Sequence, residues 1–193
     1  MKMLVATTNR GKVRELAEAL DGLGFEILDL EGAGLADRPA PEESGSTFAE
    51  NALLKASIWF EASGLLTVAD DSGLVVDILG GRPGLHSARY GDTDAERIRR
   101  LLSEMDGVPS TERTARFVCS LALVGENLAE VFTGECEGRI RHTSHGSAGF
   151  GYDPVFTPDG ENRTFAEMSP GEKSAISHRG QAIRKLREFI TGR

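Results

Sequence analysis

Apolar and polar positions alternate along this chain in two distinct periods. Met3 to Ala6 is a compact apolar run that stops at Thr7-Thr8-Asn9-Arg10-Gly11-Lys12, after which Val13, Leu16, Ala17 and Leu20 recur at helical spacing. The pattern predicts a strand, a polar loop and a helix. A second strand is expected at Phe25 to Leu30, then an exposed loop through the Gly- and Pro-containing stretch Gly32 to Gly45. Ser46 or Thr47 can cap the next helix, whose apolar residues run from Phe48 through Ala52, Leu53 and Ala56 to Trp59 and Phe60, until Gly64 stops it. Leu65 to Ala69 predicts a short strand ending in the polar cluster Asp70-Asp71-Ser72-Gly73, with another strand at Leu74 to Leu79. Gly80 to Gly84 predicts a loop, and Thr93 to Met105 an amphipathic helix using Ile98, Leu101 and Leu102. Arg116 to Val124 and Leu128 to Ile140, separated by Gly125-Glu126-Asn127, carry the strongest β signal and predict an antiparallel hairpin. His142 to Pro158 is glycine-rich and aperiodic, and a closing helix is expected from Ser174 to Ile190. Early alternation of strands and helices followed by a hairpin predicts an α/β fold with a mixed sheet.

Length and composition narrow the class. At 193 residues, with no internal repeat or composition shift, a single domain over 1–193 is expected. Burial of roughly 70% of the unfolded surface at this size makes a disulfide or structural metal unnecessary. Cys119 and Cys136 have no C-x-x-C spacing and are expected to be buried free thiols. Charges interrupt every apolar stretch before the roughly 20 residues needed to span a bilayer, and Met1 to Ala6 lacks a signal-peptide hydrophobic region. A cytoplasmic protein without membrane association is the expectation. The formal charge of −8 argues against a general nucleic-acid surface, because phosphate binding requires a basic face. Any polyanion site must therefore be local.

Three segments could carry chemistry. Thr7 to Lys12 places hydroxyls, a carboxamide and a lysine at a strand-to-helix junction, where free N–H groups and the helix dipole favour anions. It departs from the P-loop pattern, with Ala6 at the first glycine position and Val13 after the lysine. Asp70-Asp71 follows an apolar strand, and strand alternation sends the two carboxylates to opposite faces. Either could hold Mg²⁺ or accept a proton from water, with Glu42, Glu43 and Glu50 as further oxygen donors. Phe150-Gly151-Tyr152-Asp153-Pro154 sets aromatic faces among flexible glycines, a composition suited to stacking a base. Lys173, Ser177, His178 and Arg179 add donors, whereas His86, His142 and His145 show no metal spacing.

Taken together, the ordered motifs Thr7-x-Asn9-x-x-Lys12, Glu42-Glu43, Thr47-Phe48-Ala49-Glu50-Asn51-Ala52, Asp70 to Leu74, Gly81-x-Pro83-Gly84-x-x-Ser87-Ala88-Arg89-Tyr90, Phe150 to Pro154 and Ser177-His178-Arg179 closely resemble the inosine triphosphate pyrophosphatase family of the Ham1 type. The resemblance implies a long mixed β-sheet flanked by helices, in an elongated two-lobed domain with a central cleft, and a homodimer. It implies Mg²⁺-dependent hydrolysis of the purine nucleoside triphosphates ITP, dITP and XTP to monophosphate and pyrophosphate. By position, Thr7, Thr8, Asn9, Arg10, Gly11 and Lys12 would bind the triphosphate. Asp71 would be the proton acceptor and a metal ligand, and Glu42 the second ligand, with adjacent Glu43 as the alternative. Ser72, Phe150, Gly151, Tyr152, Asp153, Lys173, His178 and Arg179 would contact the nucleotide. Thr8 stands where many relatives have glycine. Arg179 has only donors, so a pocket around it would accept a C6 keto oxygen and leave adenine's amino group facing unpaired donors. Two rivals stand beside this reading: a pyrimidine nucleoside-triphosphate pyrophosphatase of related fold, and a non-enzymatic nucleotide-binding regulator.

Overall fold

A computed structural model describes residues 1–192; Arg193, the last residue of the expected domain, lies outside the described residues. The elements follow in the order β1 (Lys2–Val5), α1 (Arg10–Leu20), β2 (Glu26–Leu28), α2 (Phe48–Ser63), β3 (Leu66–Val76), α3 (Asp94–Glu104), β4 (Thr114–Gly125), β5 (Leu128–Ile140), β6 (Phe156–Pro158), α4 (Pro170–Ile176) and α5 (His178–Thr191). The six strands form one mixed sheet in the order β2-β1-β3-β4-β5-β6. β1 is parallel to both β2 and β3, each return being made by a helical crossover, and β6 is antiparallel to β5. Among the described residues no helix is long and apolar enough to cross a membrane.

Local chemistry sets most boundaries. Asn9 caps α1, its Oδ1 accepting the N–H groups of Gly11 and Lys12 at 2.9 and 3.2 Å. Thr47 caps α2, and Gly64 ends it in the left-handed conformation at φ 67°. Thr93 and Glu96 form a capping box on α3. The β4–β5 connection turns at Asn127, a residue type that tolerates its φ of 59°.

Contacts group the chain into two compact units, one from residues 1–71, 119–133 and 182–192, the other from 72–118 and 134–181. In the first unit, alternation along β1 and β3 supplies two apolar layers. Met3, Val5 and Val68 pack with Leu16 and Leu20 of α1 and Ala182, Ile183 and Leu186 of α5. Leu4, Ala6 and Ala69 pack instead with Ala52, Ala56 and Trp59 of α2. The second unit is built on an aromatic cluster, with the Phe117 ring 4.7 Å from Phe156 and 5.9 Å from Phe165. Arg113 is buried beside that core and donates to the carbonyls of Ile140, Met105 and Arg141.

Three sequence expectations are corrected. The strand at Leu65 to Ala69 and the one at Leu74 to Leu79 are a single strand, β3, that runs through Asp70 to Gly73 without a break. Each carboxylate has a lysine partner, so a polar pair that reads as a loop stays in the ladder. The closing helix is two helices broken at Ser177, whose backbone is extended at ψ 156°. Gly180 packs against the Ser174 carbonyl where a Cβ would collide, and the Ser177 hydroxyl accepts the Gly180 N–H. The signals were local: Pro170 at the first turn and the Ser169–Glu172 capping box start a separate helix. The aperiodic stretch to Pro158 contains the short strand β6. Cys119 and Cys136 are buried thiols, as expected, and burial raises the Cys136 thiol to about 11.

Candidate active site

In the first unit, β3 carries the chemistry. Asp70 follows Val68 onto the layer of α1, and Asp71 follows Ala69 onto the layer of α2. Each meets a lysine from the helix on its side. Lys12 Nζ lies 2.6 Å from Asp70 Oδ2, with the carboxylate side chain 3% exposed. Lys55 Nζ lies 3.3 Å from Asp71 Oδ1 and 2.7 Å from Glu43 Oε1, so one ammonium group bridges two carboxylates. Asn51 is buried next to this bridge, accepting the Gly45 N–H at 2.7 Å, and its polarity acts to lower the Asp71 carboxyl.

Asp71 Oδ2 is buried and has no hydrogen-bond partner among the described residues. Burial, the dominant influence, raises the Asp71 carboxyl above the ordinary aspartate value; Lys55 opposes the shift and the Glu43 charge adds to it. A carboxylate held by one oxygen, with the other bare and more basic than usual, is suited to taking a proton from water or binding a cation.

The acidic candidates separate. Glu43 converges with Asp71 on Lys55, whereas Glu42 is exposed. Glu50 is consumed by the start of α2, accepting the Ser46 N–H and hydroxyl at 2.7 Å each. Among the described residues no three His, Cys, Asp or Glu side chains converge as a metal cage. Two hard carboxylates, Glu43 and an Asp71 that keeps one oxygen without a partner among the described residues, nonetheless suit Mg²⁺, which takes one or two protein carboxylates and completes its shell with water and phosphate. The loop at Thr7 to Lys12 is less open than its sequence suggests. Thr8, Asn9 and Arg10 are exposed, but the Gly11 and Lys12 amides already bond Asn9. What it presents is chiefly the half-buried Lys12 ammonium, oriented by Asp70.

In the second unit, Phe150 to Asp153 forms a braced turn. The Phe150 N–H donates to Asp153 Oδ2 at 2.8 Å, and the Tyr152 hydroxyl donates to the Ser87 carbonyl at 3.0 Å. Gly149 has φ 79°, and a Cβ there would lie 2.0 Å from Asp153 Oδ2, so only glycine permits this closure. Lys173 Nζ contacts the same Asp153 oxygen at 2.5 Å and sits 4.8 Å from the Phe150 ring centroid. Arg179, 5% exposed, donates to Ser72 Oγ at 3.2 Å with its guanidinium carbon 5.4 Å from the Phe150 centroid. The His178 ring stacks on Phe117 at 4.7 Å. Phe150 itself is 38% exposed, an aromatic face still available beside two cations.

The motifs thus collect into one cluster per unit: Thr7 to Lys12, Glu43 and Asp71 in the first; Ser72, Phe150 to Asp153, Lys173, His178 and Arg179 in the second. Sequence reasoning missed Lys55 and Asn51. Their signal was an i, i+4 polar pair on a helix otherwise carrying Ala52, Ala56 and Trp59 inward.

A mixed sheet flanked by helices, with lysine-held carboxylates on its third strand, defines an α/β protein. The chain belongs to the Ham1 family, whose model matches residues 3–189. It is similar to a dITP/XTP pyrophosphatase of Geobacter sulfurreducens, 46% identical over 193 residues, covering 98% of this chain and 96% of that one. A dITP/XTP pyrophosphatase of Mycobacterium tuberculosis is 48% identical over 200 residues, covering 99% and 98%. The solved HAM1 protein of Coxiella burnetii superposes with a TM-score of 0.91 at 38% identity, covering all of both chains.

Proposed function

We propose that this protein hydrolyses dITP, ITP and XTP to the nucleoside monophosphate and pyrophosphate, removing aberrant purines from the nucleotide pool. Near-full-length likeness to relatives named dITP/XTP pyrophosphatase supports the substrate class. The observation that carries the chemistry is the bare, buried Asp71 Oδ2 beside Lys55. Asp71 accepts a proton from the attacking water at this oxygen, its basicity enhanced by burial, while Lys55 holds the carboxylate in one orientation. Lys12, steadied by Asp70, neutralises phosphate charge together with the polar loop from Thr7. Glu43 and Asp71 would hold Mg²⁺, with Glu43 preferred over the exposed Glu42. When bound, the metal supplies neutralisation of phosphoryl charge.

Phe150 offers the stacking face for the base, and Arg179, Lys173 and His178 supply donors to a C6 keto oxygen. The single domain over 1–193, a homodimer, residence in the cytoplasm with the nucleotide pool, and the absence of nucleic-acid and membrane partners complete the reading. Pyrophosphate release from ITP but not from UTP or dTTP separates it from a pyrimidine enzyme, and release from none would indicate a nucleotide-binding regulator. Turnover in ¹⁸O water tests which bond breaks. Attack on the α-phosphorus labels the monophosphate and leaves pyrophosphate unlabelled; label in pyrophosphate, or orthophosphate as product, refutes the assignment.

A further inference from the structure

Asp94 opens α3, and the Thr93–Glu96 capping box fixes its place in the first turn. Its two carboxylate oxygens are used differently. Oδ1 accepts Arg97 Nη1 at 2.8 Å, and Arg97 Nε donates in turn to the Gly91 carbonyl at 2.9 Å. Oδ2 accepts the backbone N–H of Gly151 at 2.7 Å, across 57 residues of sequence. The preceding amide, Phe150, is held by Asp153 at 2.8 Å. Two consecutive N–H groups of the aromatic turn are thus each anchored by a carboxylate, one inside the turn and one from a separate helix.

The turn needs such anchoring. Gly149 and Gly151 have φ 79° and 62°, so the backbone on both sides of Phe150 is intrinsically permissive and its ring direction is not set by local sterics. Asp153 divides its Oδ2 between the Phe150 amide and Lys173. Among the described residues, only Asp94 ties the Gly151 N–H to a regular element.

We propose that Asp94 is a positioning residue for nucleobase recognition: by clamping the Gly151 amide to α3 it holds the Phe150 ring in its stacking direction. The inference rests on the functional reading above in assigning the base to Phe150. It predicts an effect on ligands that carry a base and none on ligands that are phosphate alone.

The test compares wild type, Asp94→Ala, Asp94→Asn and Thr93→Ala. In Asp94→Ala, KM for ITP and the inhibition constant for IMP rise about tenfold, the equivalent of one charge-assisted hydrogen bond, while kcat and the inhibition constant for inorganic tripolyphosphate stay within about twofold. Asp94→Asn retains an oxygen for Gly151 and recovers most of the IMP affinity. Thr93→Ala weakens the same helix start without touching Gly151, lowering thermal stability but leaving IMP affinity unchanged. Amide exchange at Gly151 accelerates in Asp94→Ala and not in Asp94→Asn. Unchanged IMP affinity and Gly151 exchange in Asp94→Ala overturn the proposal, as do equal losses for IMP and tripolyphosphate, or a Thr93→Ala variant that matches Asp94→Ala. A wild-type protein that fails to turn over ITP refutes the functional reading instead, and the Gly151 exchange result still decides the clamp.

Discussion

Replacing Lys55 with methionine removes the ammonium that Asp71 and Glu43 share while preserving most of the side-chain volume. The Lys55 and Asp71 side chains are 15% and 10% exposed, so the pair behaves as buried, and Glu43 at 24% can regain some water. Deleting one partner of a buried pair costs about 3–5 kcal/mol because the other charge is left uncompensated. Partial rehydration of Glu43 favours the lower end, about 3 kcal/mol, or a fall of about 6–12 °C in Tm at this chain length. The double variant Lys55→Met/Asp71→Asn removes the more buried of the stranded charges and should be more stable than the sum of the single effects by about 1 kcal/mol or more. The pH dependence has a definite sign. The Asp71 carboxyl is already raised in the folded protein, and loss of Lys55 raises it further. A raised carboxyl favours folding only while protonated, so the deficit of Lys55→Met widens as pH rises through its folded pKa and narrows as pH falls. Differential scanning calorimetry in EDTA across the acid range measures both effects. A Tm within about 2 °C of wild type, or a double variant as unstable as the summed singles, refutes the shared-ammonium account.

Asp71→Asn should abolish ITP turnover while ITP still binds, whereas Asp70→Asn, which loosens Lys12, should raise KM more than it lowers kcat; steady-state kinetics with a binding titration reads both, and a larger kcat loss at Asp70 reverses the roles. Light scattering at micromolar concentration should give twice the chain mass, and a mass near 20.7 kDa would exclude the dimer. Glu172, lowered to about 2 by the Ser169 side-chain and backbone bonds and by Arg163, stabilises the start of α4 above its ordinary 4.5 and loses that contribution as pH falls from 4.5 toward 2. The Tm difference between wild type and Glu172→Gln should therefore shrink over that range, and a constant difference would show that the charge is not linked to folding.

Much of this protein is legible locally. The 3.6-residue period of α1 to α3, their caps at Asn9, Thr47 and Thr93, and the β4–β5 hairpin with its turn at Asn127 all depend on neighbours within a few residues. The ordered motifs likewise mark Asp71 and Phe150 as chemical candidates from sequence alone, and strand alternation already separates Asp70 from Asp71. The partners of these groups are another matter. That β3 continues through two aspartates follows from Lys12 and Lys55 arriving from helices on its two layers, 58 and 16 residues away in sequence. The contact of Glu43 with Lys55, the consumption of Glu50 by a cap, and the Asp94–Gly151 hydrogen bond arise in the same way. Periodicity and capping report burial and local hydrogen bonding, which adjacent residues dictate. Which buried charge meets which counter-charge depends on how the crossovers and hairpins fold the sheet, and only the tertiary structure decides it.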